Sequence, residues 1–133
     1  MRSGDEVVGE IGPGLCVLLG VEREDDAEAT ERVAGRVARL RIFENDDGKF
    51  DRSVLDMGGS VLVVSNFTLI ADTAKGNRPS FSEAAEPARA QLLYEGFCAT
   101  LRELGVPVET GLFGARMRVE IANDGPVTIV LDA

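Results

Sequence analysis

The chain has 133 residues, a formal net charge of −9, two cysteines and no histidine. That length supports one compact domain with a real core, and the acidic balance argues against a broad, non-specific nucleic-acid surface. The lack of imidazole removes the usual zinc sites and every Ser-His or Cys-His nucleophile pair.

No apolar run approaches the roughly eighteen residues that a membrane span needs. The N-terminus, MRSGDEVVGEIG, lacks the basic-then-apolar layout of a signal peptide. The expected location is therefore the cytoplasm. Cys16 and Cys98 stand far apart in apolar segments and read as buried, reduced thiols.

In chain order, Val7 to Ile11 reads as a short strand that ends in the turn Gly12-Pro13-Gly14. Leu15 to Val21 is an almost wholly apolar run, suited to a strand buried on both faces. Asp26 offers an N-cap, and Ala29, Val33, Val37 and Leu40 recur at helical spacing. Together they predict a helix from Asp26 to Leu40. The acidic stretch from Phe43 to Lys49 reads as a solvated turn, since its spacing does not fit a calcium loop.

Ser60 to Phe67 is the second strongly apolar strand, and Thr68 to Phe81 a long polar loop of the kind that carries function. A second helix has Pro87 in its first turn and Gly105 past its end, with a buried stripe of Ala90, Leu93, Phe97 and Leu101. A strand near Val106 to Glu109, the GLFGARM connection and a final hairpin of MRVEIA and VTIVLD complete the chain. The expected fold is mixed α/β in a single domain, residues 1–133: a mixed sheet or partly closed barrel with two helices packed outside.

Four segments carry side chains or backbone suited to chemistry. SNFTL (Ser65 to Leu69) closes a buried strand, where the scaffold is rigid. It offers two hydroxyls and the Asn66 amide, which serve a site or merely cap backbone groups. AKGNRPSF places Lys75 and Arg78 in one loop, either as a phosphate grip or as incidental surface charge. The glycines of GLFGARM allow close approach to a ligand or a tight turn. NDGPVT reads as hairpin-turn chemistry. Its Gly125-Pro126 peptide is also one that tolerates a cis geometry.

Taken together and in this order, GEIGPGLCVLLGVE, GGSVLVVSNFTLIADTAKGNRPSF, GLFGARM and NDGPVT resemble the D-aminoacyl-tRNA deacylases over nearly the whole chain. The resemblance implies a barrel-like, mostly antiparallel sheet in a homodimer, without metal or cofactor, that acts on the 3′ end of aminoacylated tRNA. The implied reaction is hydrolysis of the ester joining tRNA to a D-amino acid or to mischarged glycine. It gives Thr68 and Phe67 catalytic roles and assigns Ser65, Asn66, Asn123, Gly125 and Pro126 to substrate. In this reading a cis Gly125-Pro126 bond enters the partner subunit's site and holds the substrate's ammonium by backbone carbonyls. Lys75, Arg78 and Arg116, with Arg118, are the expected tRNA contacts.

With no histidine to deprotonate Thr68, the expected catalysis is positioning plus oxyanion stabilisation by backbone N–H groups near Phe67 and Thr68. Two departures from the family pattern stand out. Asn66 occupies the place of the family's usual Gln, with a reach one methylene shorter. Met1 also falls about where the family's first strand has already ended, leaving an expected unpaired sheet edge. The second reading is accordingly a dimeric tRNA-end or small-ligand binding module without catalysis.

Overall fold

The computed structural model describes residues 1–133. Its strands are β1 (Arg2–Ser3), β2 (Glu6–Val7), β3 (Gly14–Leu19), β4 (Phe43–Glu44), β5 (Phe50–Arg52), β6 (Ser60–Ser65) and β7 (Val108–Thr110). Helix α1 (Ala27–Arg39) lies between β3 and β4, and α2 (Pro87–Glu103) between β6 and β7. A single 3₁₀ turn, Phe67–Ile70, follows β6 directly.

The centre is a three-stranded sheet in the order β3-β6-β7, and both pairings are parallel. The two antiparallel pairs, β1-β2 and β4-β5, form separate two-stranded ribbons. The expected barrel-like, mostly antiparallel sheet is therefore not what the chain forms. The apolar run of β6 shows why: a strand whose two faces are both covered reads as continuous Val and Leu, the pattern of parallel sheets. The β3-β6 register runs from Gly14 opposite Ser60 to Leu19 opposite Ser65. A Cβ at Gly14 would lie 1.8 Å from the Ser60 carbonyl oxygen, so only glycine permits this pairing.

The two parallel crossovers place α1 and α2 on one face of the sheet. Ala34, Val37 and Ala38 of α1 meet Tyr94, Phe97, Cys98 and Leu101 of α2 over Val61, Val63 and Val108. The other face carries a smaller cluster of Met1, Leu62 and Val64, with Ile11, Cys16, Met117 and Val119 against it. Thus β6 is buried on both sides. By contrast β3, at the sheet edge, is only half-buried, and not covered on both faces as the sequence suggests.

Both helices have caps that their sequences encode. The Asp26 carboxylate accepts from the Ala29 N–H at 2.9 Å. At the end of α2, the Gly105 N–H donates to Arg102 and the Val106 N–H to Leu101, both at 3.0 Å, with Gly105 at φ +94°. This is a glycine C-cap of the six-to-one kind, and it delivers Val106 into the core. The buried stripe of α2 is Tyr94, Phe97, Cys98 and Leu101, while Ala90 and Leu93 are only half-buried. Burial also pushes both thiols up, Cys98 inside the core and Cys16 at its margin. Cys16 is half-buried rather than buried as expected.

The C-terminal hairpin is the other correction. Residues after Thr110 form no strand, and only Arg118 bridges to Arg2, through two backbone bonds of 2.8 Å. Alternation states which side chains share a face but does not supply a pairing partner. Met117 and Val119 find apolar cover, whereas Ile121, Ile129 and Val130 are exposed.

Phe97 is fully buried where both helices meet the sheet. Phe97→Ala is expected to lower unfolding free energy by about 3–5 kcal/mol, read as a fall in the urea midpoint. Asp26→Ala, which removes one exposed cap, is expected to cost about 1 kcal/mol.

Candidate active site

The site begins where β6 ends. The Asn66 N–H donates to the Leu19 carbonyl at 2.9 Å, extending the strand pairing by one residue. The chain then leaves the sheet, with Asn66 at φ −143° and ψ 92°, and turns into the 3₁₀ segment. Asn66 caps that turn: its Oδ1 accepts from the Thr68 N–H at 3.2 Å and also from the Thr68 hydroxyl. The Leu69 N–H returns to the Asn66 carbonyl at 3.3 Å. Of the two backbone donors expected to face an oxyanion, the Thr68 N–H is thus engaged within the turn.

Behind the turn, Gly20 lies close to Leu69 and Ile70; an added Cβ would come within 3.0 Å of each. In front, Phe67 is 58% exposed and meets Phe81 edge-on, with ring centroids 4.9 Å apart. That contact draws together the two ends of the polar loop. Asp72 and Ser80 close it further by exchanging two backbone bonds of 2.7 and 2.8 Å. The Asp72 side chain accepts from the Ala74 N–H at 2.9 Å and starts the tip. Lys75 and Arg78 project from this tip. Neither they nor the exposed Arg116 enters any of the three ion pairs, which join Arg2 to Glu120, Arg41 to Asp51 and Arg52 to Asp46.

A cavity of about 330 Å³ opens beside the strand end. Ser65 and Asn66 form its polar wall, and Leu18, Val64, Met117, Val119 and Ile121 supply most of the rest. The sequence reading found the polar wall and missed the apolar one. The alternation in MRVEIA was the available signal, since residues 117, 119 and 121 share one face. No group of three or more His, Cys, Asp or Glu side chains converges to hold a metal ion.

The NDGPVT segment lies elsewhere. The Gly125-Pro126 peptide is cis, and Gly125 has φ +130°. An added Cβ there would come within 2.8 Å of the Val127 side chain. Asn123 clamps the turn: its Oδ1 accepts from the Val127 N–H and its Nδ2 donates to the Thr128 hydroxyl, both at 3.2 Å. Asn123, Gly125 and Pro126 are all exposed, and none lines the cavity at Ser65 and Asn66. Within one chain the two polar segments therefore do not form a common cavity.

The D-Tyr-tRNA(Tyr) deacylase family profile matches residues 1–132. The chain belongs to this family. Similar deacylases cover it almost end to end. The D-aminoacyl-tRNA deacylase of Deinococcus radiodurans is 56% identical over 126 residues, spanning 95% of this chain and 87% of that protein. Its counterpart in Anaeromyxobacter dehalogenans is 54% identical over 133 residues, spanning 100% and 89%.

Among solved structures, the c-Myc DNA unwinding element binding protein superposes with a TM-score of 0.93 at 41% identity, over 99% of this chain and 90% of that one. A probable eukaryotic D-amino acid tRNA deacylase shares the fold, with a TM-score of 0.63 at 19% identity over 80% and 77%. The deacylase family is one of enzymes, and this chain is a member over its whole length.

The Asn123 clamp joins exposed groups, so its loss should be local. Asn123→Ala is expected to cost no more than about 1 kcal/mol of global stability. Amide exchange at Val127 should accelerate, as read by NMR, with exchange in β6 unchanged.

Proposed function

We propose that this protein hydrolyses the ester bond of D-aminoacyl-tRNA and of mischarged glycyl-tRNA, releasing free tRNA and the amino acid. The reading rests on one observation above all, the deacylase family match across residues 1–132. It makes the protein a quality-control enzyme of translation, working in the cytoplasm as a homodimer.

The chemistry suits the residues present. An aminoacyl ester is already labile, so holding it against a rigid strand end supplies much of the required rate. Ser65 and Asn66 line the cavity that receives the aminoacyl end, and Phe67 and Thr68 meet the ester. A backbone N–H of the turn stabilises the developing oxyanion. None of Ser65, Asn66, Phe67 and Thr68 ionises near neutrality, in keeping with a chain that has no histidine. Thr68 orients water or substrate and is not itself acylated.

The Gly125-Pro126 turn supplies selectivity from the partner subunit. Its exposed position, outside the cavity of its own chain, suits it to enter a neighbour's site. Its backbone carbonyls hold the substrate ammonium while the ester fixes the carbonyl carbon. The third substituent then points into open space if D and into a wall if L, whereas glycine passes. Rejection by clash makes the identity of the D side chain nearly irrelevant.

The purified protein is expected to deacylate D-tyrosyl-tRNA and glycyl-tRNA while sparing L-tyrosyl-tRNA. Retention of all three esters, with tRNA still bound, would instead make it a binding module.

Lys75, Arg78 and Arg116, the cations this reading places against tRNA, would make few phosphate contacts. The logarithmic slope of tRNA affinity against salt is expected near about −2, from roughly 0.7 per single-stranded phosphate. A slope steeper than about −5 would show a far wider contact surface than these residues supply.

A further inference from the structure

The chain has two Asp-Gly steps, Asp47-Gly48 and Asp124-Gly125, and all four residues are exposed. At such a step the backbone can attack its own side chain. Glycine has no Cβ to screen its nitrogen from the preceding carboxyl. Closure of a five-membered ring within one chain needs no encounter, only the torsional freedom to bring the reacting atoms together. The two steps differ in that freedom.

The first step is held along its whole length. The Gly48 N–H donates to the Asn45 carbonyl at 3.0 Å. The Asn45 Oδ1 accepts from the Asp47 N–H at 2.9 Å and from the Lys49 N–H at 3.1 Å. Three consecutive nitrogens are engaged, so Gly48 cannot swing onto the Asp47 carboxyl without breaking bonds. The second step is held only at its base, where Asn123 grips Val127 and Thr128. The Gly125 N–H donates to no other group of the chain. The Asp124 carboxylate enters none of the three ion pairs.

We propose that Asp124 is a modification site, converting spontaneously to isoaspartate through a cyclic imide, while the turn at Asp47 protects that residue. The Gly125 nitrogen forms a bond to the Asp124 Cγ. The hydroxyl of the protonated carboxyl leaves with the nitrogen's proton as water. Water then adds across one of the two ring C–N bonds. Opening at Cγ restores aspartate. Opening at the main-chain carbonyl carbon leaves Gly125 joined through Cγ, and the old main-chain carbonyl becomes a free carboxylate. No oxidant or second protein takes part, and mass and charge are unchanged.

The product has one more atom in the main chain between Asn123 and Val127. The Asn123 clamp spans that path, from its side chain to the Val127 N–H and the Thr128 hydroxyl. A longer path changes the reach of both bonds, so the rearrangement opens the clamp. In the deacylase reading above, the carbonyl that becomes a carboxylate belongs to the turn that selects the substrate. The rearrangement itself does not depend on that reading.

The test is peptide mapping of the intact protein after incubation at physiological temperature, with electron-transfer fragmentation to tell isoaspartate from aspartate. Isoaspartate is expected at Asp124 at least about fivefold faster than at Asp47, the factor for breaking even one backbone hydrogen bond. In heavy-oxygen water the product should carry one heavy oxygen, as imide hydrolysis demands. Asp124→Glu, which would need a six-membered ring, should abolish the product at that position. In denaturant the two steps should react at like rates. The rearranged fraction should show faster amide exchange at Val127. Equal rates at the two steps in the folded protein overturn the proposal, as does a product without heavy oxygen. A difference that persists in denaturant overturns the protecting role of the Asp47 turn, and unchanged Val127 exchange overturns the opening of the clamp. Because the mapping needs no substrate, an inactive protein would count against the deacylase reading and leave the modification standing.

Discussion

The parallel pairing of β3 with β6 is the constraint on which the rest depends. It starts at Gly14, where only a missing side chain lets the backbones approach Ser60. It ends where Leu19 faces Ser65, and the Asn66 N–H adds one more bond to Leu19. Because β6 is covered on both faces, a slip of one residue would exchange its two buried faces. The register thus fixes the height at which Asn66 leaves the sheet, and with it the position of the 3₁₀ turn. The turn after β6 inherits its precision from a glycine about five residues upstream along the paired strand, at some 3.3 Å per residue.

The core serves that strand from the helical side. The α1 and α2 residues that meet over Val61 and Val63 hold one face of β6, and the Met1 cluster holds the other. Tyr94 reinforces the arrangement through its hydroxyl, which donates to the Val63 carbonyl at 3.3 Å while its ring stays buried. Burial pushes the Tyr94 phenol further up, so it remains a neutral donor across any ordinary pH. The polar end of β6 therefore rests on a support without titrating parts near neutrality.

Local chemistry was legible in the sequence to the extent that it was local. The Asp26 cap, the Pro87 start and the Gly105 stop each act within one turn, and α1 and α2 fall at or within two residues of where those residues place them. SNFTL pointed to the strand end for the same reason. Sheet direction was less accessible, because parallel or antiparallel pairing is a relation between segments far apart in the chain. The apolar continuity of β6 was a hint of parallel pairing that the expectation of a barrel overrode. Alternation in MRVEIA and VTIVLD gave faces without partners, so a hairpin was inferred where the one bridge runs from Arg118 to Arg2. The Asn66-to-Thr68 contact needed coordinates, since a capping amide and a substrate-binding amide look identical as letters. The family resemblance was carried by several short segments in order, and it matched the chain over residues 1–132.

The closure between Asp72 and Ser80 has a consequence for how such a protein can vary. Two backbone bonds there, and the Phe67–Phe81 contact just outside them, already bring the ends of the loop together. The entropy of closing the tip is then largely met by contacts that do not involve the tip itself. Residues 73–79 behave as a cassette on a fixed frame. Insertions, deletions or changed charge within them alter the surface that the tip presents, while the strand end beneath keeps its geometry. The charge at the tip and the geometry at the strand end are in this way carried by separable pieces of one loop.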